Sequence, residues 1–145
     1  MKARFVIAVA MVGLLLNLTG WAGNVFLLAS MWDRAVILAP PPMRSPFGGV
    51  VHALLQFLSD FVFAFVWCLV YRLAGPGWNR PGLQLALISA GIVWLGGVPM
   101  CYLGMVNGGY LPLDISIATT VLALGTFVLV APLLPRLLPL RDGGH

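Results

Sequence analysis

The sequence has very few charged residues and contains no glutamate at all. Charged residues make up 8% of the chain, against about 25% in ordinary globular proteins. The acids are Asp33, Asp60, Asp114 and Asp142. A soluble protein of 145 residues needs a charged surface that this composition does not supply. We therefore expect the chain to use lipid as its solvent.

Motifs of catalysis and of metal binding are also missing. The sequence has no Gly-rich phosphate loop, no H-E-x-x-H pair, no Ser/His/Asp set and no paired carboxylates. Its two cysteines, Cys68 and Cys101, are expected at different depths, too far apart for a disulfide, and packed as small hydrophobic residues. These absences predict a protein that is not an enzyme.

The net charge of +4 does not indicate a nucleic-acid partner. The Lys and Arg residues stand singly between apolar runs, so no basic cluster could follow a phosphate backbone. We expect no binding to nucleic acid.

Long apolar runs between the charged residues predict four transmembrane spans. The runs are 5–32, 81–113 and 115–135 without a charge, and 45–71 with Asp60 alone. Because a helix needs about 20 apolar residues to cross a bilayer, each run holds one span. We predict spans at about 5–31, 48–72, 82–104 and 114–135. The predicted fold is an all-α, integral membrane four-helix transmembrane bundle forming a single domain over residues 1–145, without an internal repeat.

The Lys and Arg residues are unevenly divided between the two ends of the predicted bundle. The N-terminus, the connection between the second and third spans and the C-terminal tail carry six: Lys2, Arg4, Arg72, Arg80, Arg136 and Arg141. The first connection carries Arg34 and Arg44, and the third carries none. The positive-inside rule therefore predicts both termini on the cytoplasmic side.

Asp60 is the most informative residue because it falls near the middle of the second span. No Lys or Arg lies at that depth in any span. An isolated charge at the bilayer centre costs at least ~2.5 kcal/mol, so we expect a protonated Asp60 that points into the bundle or a protein interface. Its expected hydrogen-bond partners are Gln56, one turn away, and the first-span residues Asn17 and Asn24.

Small and polar residues form stripes on three of the predicted spans. The stripes are Gly13, Asn17, Gly20 and Asn24 in the first span, His52, Gln56 and Asp60 in the second, and Ser116, Thr119, Ala123 and Thr126 in the fourth. One interpretation is that they are packing seams with hydrogen bonds across helices. The other is a proton or substrate pathway through Asp60, Gln56 and His52. We favour packing, because a pathway normally has several titratable groups at stepped depths.

His52 is the one histidine that the spans contain. A bis-histidine haem would need a second intramembrane histidine, and His145 lies in the C-terminal tail. We therefore expect no autonomous haem or metal site. At most, His52 could contribute one ligand to a site that a partner chain completes, and the sequence specifies no cofactor.

The first connection contains three consecutive prolines, Pro40 to Pro42. Such a run favours an extended, stiff segment. It is either a rigid connector or a docking strip for a partner, since a stiff segment loses little entropy on binding.

The layout is similar to that of small bacterial inner-membrane proteins with four helices. The features that carry this likeness are the segment Leu18–Trp21 in the first span and the basic, aromatic segment Trp67–Arg72 that closes the second. The resemblance is architectural and implies a multi-pass protein of a bacterial-type inner (cytoplasmic) membrane, without implying an activity. Small multidrug transporters also have four helices, but that family's essential acid lies in its first helix, where this chain carries only Asn17 and Asn24.

The functional hypothesis from the sequence is a non-catalytic accessory or structural subunit of a larger membrane complex, with photosynthetic and respiratory complexes as candidates. The partners would be the lipid bilayer and other integral membrane subunits. The alternatives are a small proton-coupled transporter or channel that uses Asp60, and a free-standing protein that organises lipid.

Overall fold

The chain folds into helices joined by short connections. The computed structural model describes residues 2–38, 48–75, 77, 81–109 and 111–140, without the side chains of residues 2, 36–38 and 48–53. The helices are α1 (Lys2–Leu27), α2 (Ala29–Leu38), α3 (Gly48–Ala74), α4 (Gly82–Asn107), α5 (Leu113–Val130) and α6 (Leu134–Leu137), with a 3-10 turn at Ala131–Leu133. The described residues contain no strand, so the predicted all-α class is confirmed.

Four helical segments are long and apolar enough to cross a membrane: Ala3–Leu27, Leu54–Ala74, Gly82–Asn107 and Leu113–Leu137. They have mean hydropathies between 1.7 and 2.2. The last of them includes α5, the 3-10 turn and α6. Pro132 lies in this turn, where the missing N–H and the ring of proline disfavour a regular α-helix. These segments fit the predicted four-span membrane protein.

The first span differs from its prediction, because α1 ends at Leu27 and a separate helix, α2, starts at Ala29. The chain bends at Leu28. Two features stabilise the bend. The indole N–H of Trp32 donates a hydrogen bond to Asn24 Oδ1 at 2.7 Å, and the side chains of Leu28 and Ala35 are buried. The residues after Asp33, expected in the first connection, are therefore helical to Leu38, while Pro40 to Pro42 lie outside the described residues.

The spanning helices form an up-and-down bundle in which sequence neighbours are antiparallel. Helix α1 packs against α3 and α5, and α4 packs against the same two helices. The N-terminus, the C-terminus and the α3–α4 connection therefore lie at one end of the bundle, which we call the termini end. The opposite end, where α1 joins α2 and α4 joins α5, is the far end. Which side of a membrane each end faces stays a prediction.

The apolar core fills the half of the bundle next to the termini end. Its central side chain is Trp67 of α3, which is 0% exposed and lies 5.0 Å from Phe127, centroid to centroid. The indole N–H of Trp67 donates to Ser89 Oγ at 3.0 Å and to the Ala86 carbonyl at 3.2 Å. Other core residues on the four spanning helices include Ala8, Val12, Leu16, Ala64, Cys68, Tyr71, Leu85, Ala90, Val93, Val130 and Leu134. The core therefore closes the bundle at this end.

The far half is packed much less tightly. No side chain is fully buried in residues 17–27 of α1, 54–63 of α3 or 99–107 of α4, all within the described part of the chain. The buried residues there are Ile115, Ser116 and Thr119 of α5, together with Leu28 and Ala35 at the bend. An added Cβ at Gly20 or Gly104 would meet no atom within 4 Å, whereas one at Gly23 would lie 2.5 Å from Leu122 Cδ1. The bundle is thus sealed at one end and loosely filled at the other.

The perimeter of the bundle is covered by large apolar side chains, as a lipid-facing surface requires. Of the two cysteines, Cys68 is buried as expected. Cys101 is exposed, which corrects the expectation that both pack inside the protein. The reason is its place on α4 in the far half, where the neighbouring helices leave the outward faces uncovered.

Candidate functional site

The polar site of this protein joins α1 and α3 through Asp60. Asn17 Nδ2 donates to Asp60 Oδ2 at 3.0 Å, and Gln56 Nε2 donates to Asp60 Oδ1 at 3.2 Å. The first bond crosses between helices, and the second follows one turn of α3. Each carboxyl oxygen thus accepts one amide hydrogen bond. We call these three residues the Asp60 cluster.

The Asp60 cluster stands on the boundary between the tight and the loose half of the bundle. Asp60 shares a face of α3 with the buried residues Ala64, Trp67 and Tyr71, at spacings of four, seven and eleven residues. Its side chain is half-buried, and Gln56, one turn nearer the far end, is exposed. The carboxyl group therefore points into the bundle but is not enclosed by it.

A second polar pair lies near the cluster on the other two helices. The Tyr102 side chain of α4 lies close to Thr119 of α5, whose hydroxyl donates to the Ile115 carbonyl at 2.7 Å. Tyr102 also lies close enough to Asp60 for electrostatic interaction between them. All four spanning helices therefore contribute a polar side chain at about this level.

Asn24 does not join the Asp60 cluster, although the sequence indicated it as a partner. Its Nδ2 donates to the Gly20 carbonyl at 2.8 Å, and its Oδ1 accepts the Trp32 hydrogen bond described above. Asn24 is two turns from Asn17 along α1, and its side-chain oxygen is bonded to Trp32 of α2. It serves the bend at Leu28 instead.

His52 lies on the first part of α3, but its side chain is outside the described residues. Its expected part in a polar stripe or a shared ligand set stays a prediction. Among the described residues, no group of three or more His, Cys, Asp or Glu side chains is placed to hold a metal ion.

The hydroxyl stripe of α5 faces inward, but its bonds differ from the expectation. Ser116, Thr119 and Thr126 are buried. Their hydroxyls donate to carbonyls four residues earlier in the chain, at 2.9, 2.7 and 3.0 Å. Ser and Thr hydroxyls in helices often bond in this way. Their small size lets α5 approach its neighbours, while the side-chain bonds across helices come from Asn17 and from tryptophan indoles.

The polar site does not extend toward the termini end. The next residues on the Asp60 face of α3, Ala64 and Trp67, are fully buried in the apolar core. Between Asp60 and Tyr71, eleven residues further, the one titratable side chain of α3 is the buried thiol of Cys68. A stepped series of proton carriers is therefore absent from the described part of α3.

Asn17 also lies in a groove on the outward side of α1. The groove has a volume of about 410 Å³ and is lined by Leu14, Leu15, Asn17, Leu18 and Trp21. We call it the α1 groove. Leu14, Leu18 and Trp21 are 54%, 59% and 60% exposed. Because Asn17 lines the α1 groove and also bonds to Asp60, the groove connects the perimeter of the bundle to the Asp60 cluster.

Two substitutions of Asp60 separate its hydrogen bonding from its charge. In the isolated chain, we expect Asp60→Asn to change the free energy of unfolding by less than about 0.5 kcal/mol, because an amide keeps the size and the neighbouring amides can turn to match it. Asp60→Leu leaves two amide donors without an acceptor and should cost about 1–2 kcal/mol. Unfolding of the purified chain in mixed micelles with increasing dodecyl sulfate measures both. Equal losses for the two variants would contradict a hydrogen-bonding role.

Comparison with known proteins adds no relative to this picture. No protein family model, no curated protein sequence and no solved structure matches the chain.

Proposed function

We propose that this protein is a non-catalytic accessory subunit of a larger membrane complex, located in a bacterial-type inner membrane. The observation that carries the proposal is the incomplete far half of the bundle. A polar cluster and an exposed amide lie there within the length of the spanning helices, and the side chains that the structure describes leave them partly uncovered. A neighbouring subunit would cover them.

The exposed amide of Gln56 is the clearest sign of a missing neighbour. It lies within the apolar segment Leu54–Ala74, and its side-chain oxygen Oε1 accepts no hydrogen bond from the residues that the structure describes. Unsatisfied polar groups are costly in the hydrocarbon region of a bilayer. Contact with another protein would remove that cost, and contact with lipid would not.

The alternative, a proton-coupled carrier or channel that uses Asp60, has less support. It needs a route to both ends of the bundle, and the core around Trp67 closes the termini half. If Asp60 did relay protons, Asp60→Asn would abolish transport while leaving the protein assembled. Energy-converting complexes, respiratory or photosynthetic, are the proposed setting, because a subunit without its own catalytic motif suits a large assembly.

The accessory-subunit proposal is tested in native membranes. After extraction in a mild detergent, we expect the chain to migrate on native gels as part of a larger complex and to co-purify with the same integral membrane proteins in each preparation. Deletion of the gene should reduce assembly of that complex. The proposal fails if the chain migrates alone, or if every co-purifying complex assembles normally in the deletion strain.

A further inference from the structure

We infer that the α1 groove is a docking site for a transmembrane helix of a partner subunit, and that this helix carries a Lys or Arg at the level of Asp60. The inference rests on the proposed function and specifies the chemistry of the partner. Apolar residues of the partner helix would pack on Leu14, Leu18 and Trp21. Its basic side chain would reach Asp60 beside Asn17.

Asp60 has no cation beside it among the described residues, and a basic residue of a partner helix would let its carboxyl group ionise. Along α1, Asn17 lies 13 residues after Arg4, which corresponds to about 20 Å of helix, and Arg34 lies beyond the bend, on α2. The described part of α3 has Arg72 as its only cation, 12 residues from Asp60, and α4 has none. Ionisable groups inside membranes normally pair with one another. A partner of opposite charge is therefore the complement that this site lacks.

A second copy of the same chain does not supply that complement. Every Lys or Arg in the sequence lies at the edge of a predicted span or outside it. None could reach the level of Asp60 in a parallel or antiparallel copy without displacing a helix along its axis. The partner must be a different chain, with a basic residue inside its own span.

The Asp60 cluster has unused acceptors for such a residue. A carboxylate oxygen can accept more than one hydrogen bond, and each oxygen of Asp60 accepts only one. Asn17 Oδ1 and Gln56 Oε1 accept none from the described residues. Four oxygens on two helices can therefore receive the donors of a Lys ammonium or an Arg guanidinium group. The four oxygens outnumber the three N–H donors of a Lys ammonium group.

Association with designed transmembrane peptides tests this inference without knowledge of the natural partner. The purified full chain is labelled with a donor fluorophore at Cys101, which is exposed while Cys68 is buried, and reconstituted into bilayers. The probes are Leu/Ala helices with an acceptor fluorophore and either a central Lys or a central Leu. We expect the Lys peptide to bind about tenfold more tightly, as close charge pairs at interfaces do.

Variants of the chain separate charge pairing from apolar contact. Asp60→Asn should reduce the preference for the Lys peptide to less than about twofold, and Asp60→Glu should retain it. Asp114→Asn, at an exposed acid in the first turn of α5, is the matched control and should leave the preference unchanged. Asp60→Lys should prefer a peptide with a central Asp, which shows that the variant chain still folds and docks.

Three results would overturn the inference. One is equal binding of the Lys and Leu peptides to the unaltered chain. The second is a preference that survives Asp60→Asn. The third is Asp60-dependent binding of methylammonium or Na⁺ without any preference among peptides, which would assign the site to a free cation. Failure to co-purify with any subunit would instead defeat the accessory-subunit proposal while leaving a measured peptide preference in place.

Discussion

Replacing Trp67 by alanine should destabilise the protein more than any other single truncation in the bundle. The side chain is fully enclosed in the core, and its indole N–H bonds to Ser89 and to the Ala86 carbonyl on α4. Trp67→Ala removes the packing against Phe127 and leaves a cavity between α3 and α4. Substitutions of this kind cost about 3–5 kcal/mol, and dodecyl sulfate titration in mixed micelles measures the loss.

Trp21→Ala is the matched control for this experiment. Trp21 lies on the outward face of α1 and is 60% exposed, so its removal should change the free energy of unfolding by less than about 0.5 kcal/mol. A loss for Trp67→Ala that is no larger than that for Trp21→Ala would show that the termini half is not a packed core.

A second large effect is expected where α1 approaches α3 at Gly13. An added Cβ at this position would lie 2.7 Å from Phe61 Cδ1 and 2.9 Å from its Cε1. Gly13 is buried, so the ring must move or the two helices must separate. Gly13→Val should therefore lower the free energy of unfolding by about 1–3 kcal/mol, the usual cost of overpacking.

Gly20→Val provides the comparison on the same helix. A Cβ there would meet nothing within 4 Å, and the change in intrinsic helix propensity is the same as at Gly13. Gly20→Val should leave stability in mixed micelles equal or slightly higher. If both variants lose stability equally, the cost arises from the β-branched side chain in α1 and not from contact with Phe61.

The four-span fold could be predicted because lipid imposes a simple rule on the sequence. Uncharged runs must be long enough to cross the bilayer, and their ends are marked by Arg72, Pro81 and Asp114. The bend at Leu28 could not be predicted in this way. It depends on the hydrogen bond of Trp32 to Asn24 and on burial of Ala35 against the bundle, neither of which interrupts the apolar run.

The site was partly predictable for a similar reason. Gln56 and Asp60 are one turn apart on a single helix, and Asn17 lies at a matching depth on its antiparallel neighbour, so their contact follows from helix geometry. Tyr102 was missed because its nearness to Asp60 depends on how α4 crosses the bundle. The signal that could have found it is its position: a tyrosine within the outer turns of a span, at the depth of Thr119 on the next helix.

The contrast between the two halves of the bundle also bears on how the protein moves. Local opening is easiest where few side chains are buried, so the far half should fluctuate independently while the half around Trp67 stays fixed. A partner that docks on the far half would then lose less of its binding energy to rearrangement of a rigid core. For the same reason, the structural change caused by docking should stay within a few turns of Asp60 and should not reach the termini end of the bundle. We therefore expect the far half to adjust to a docked partner while the half around Trp67 keeps its packing.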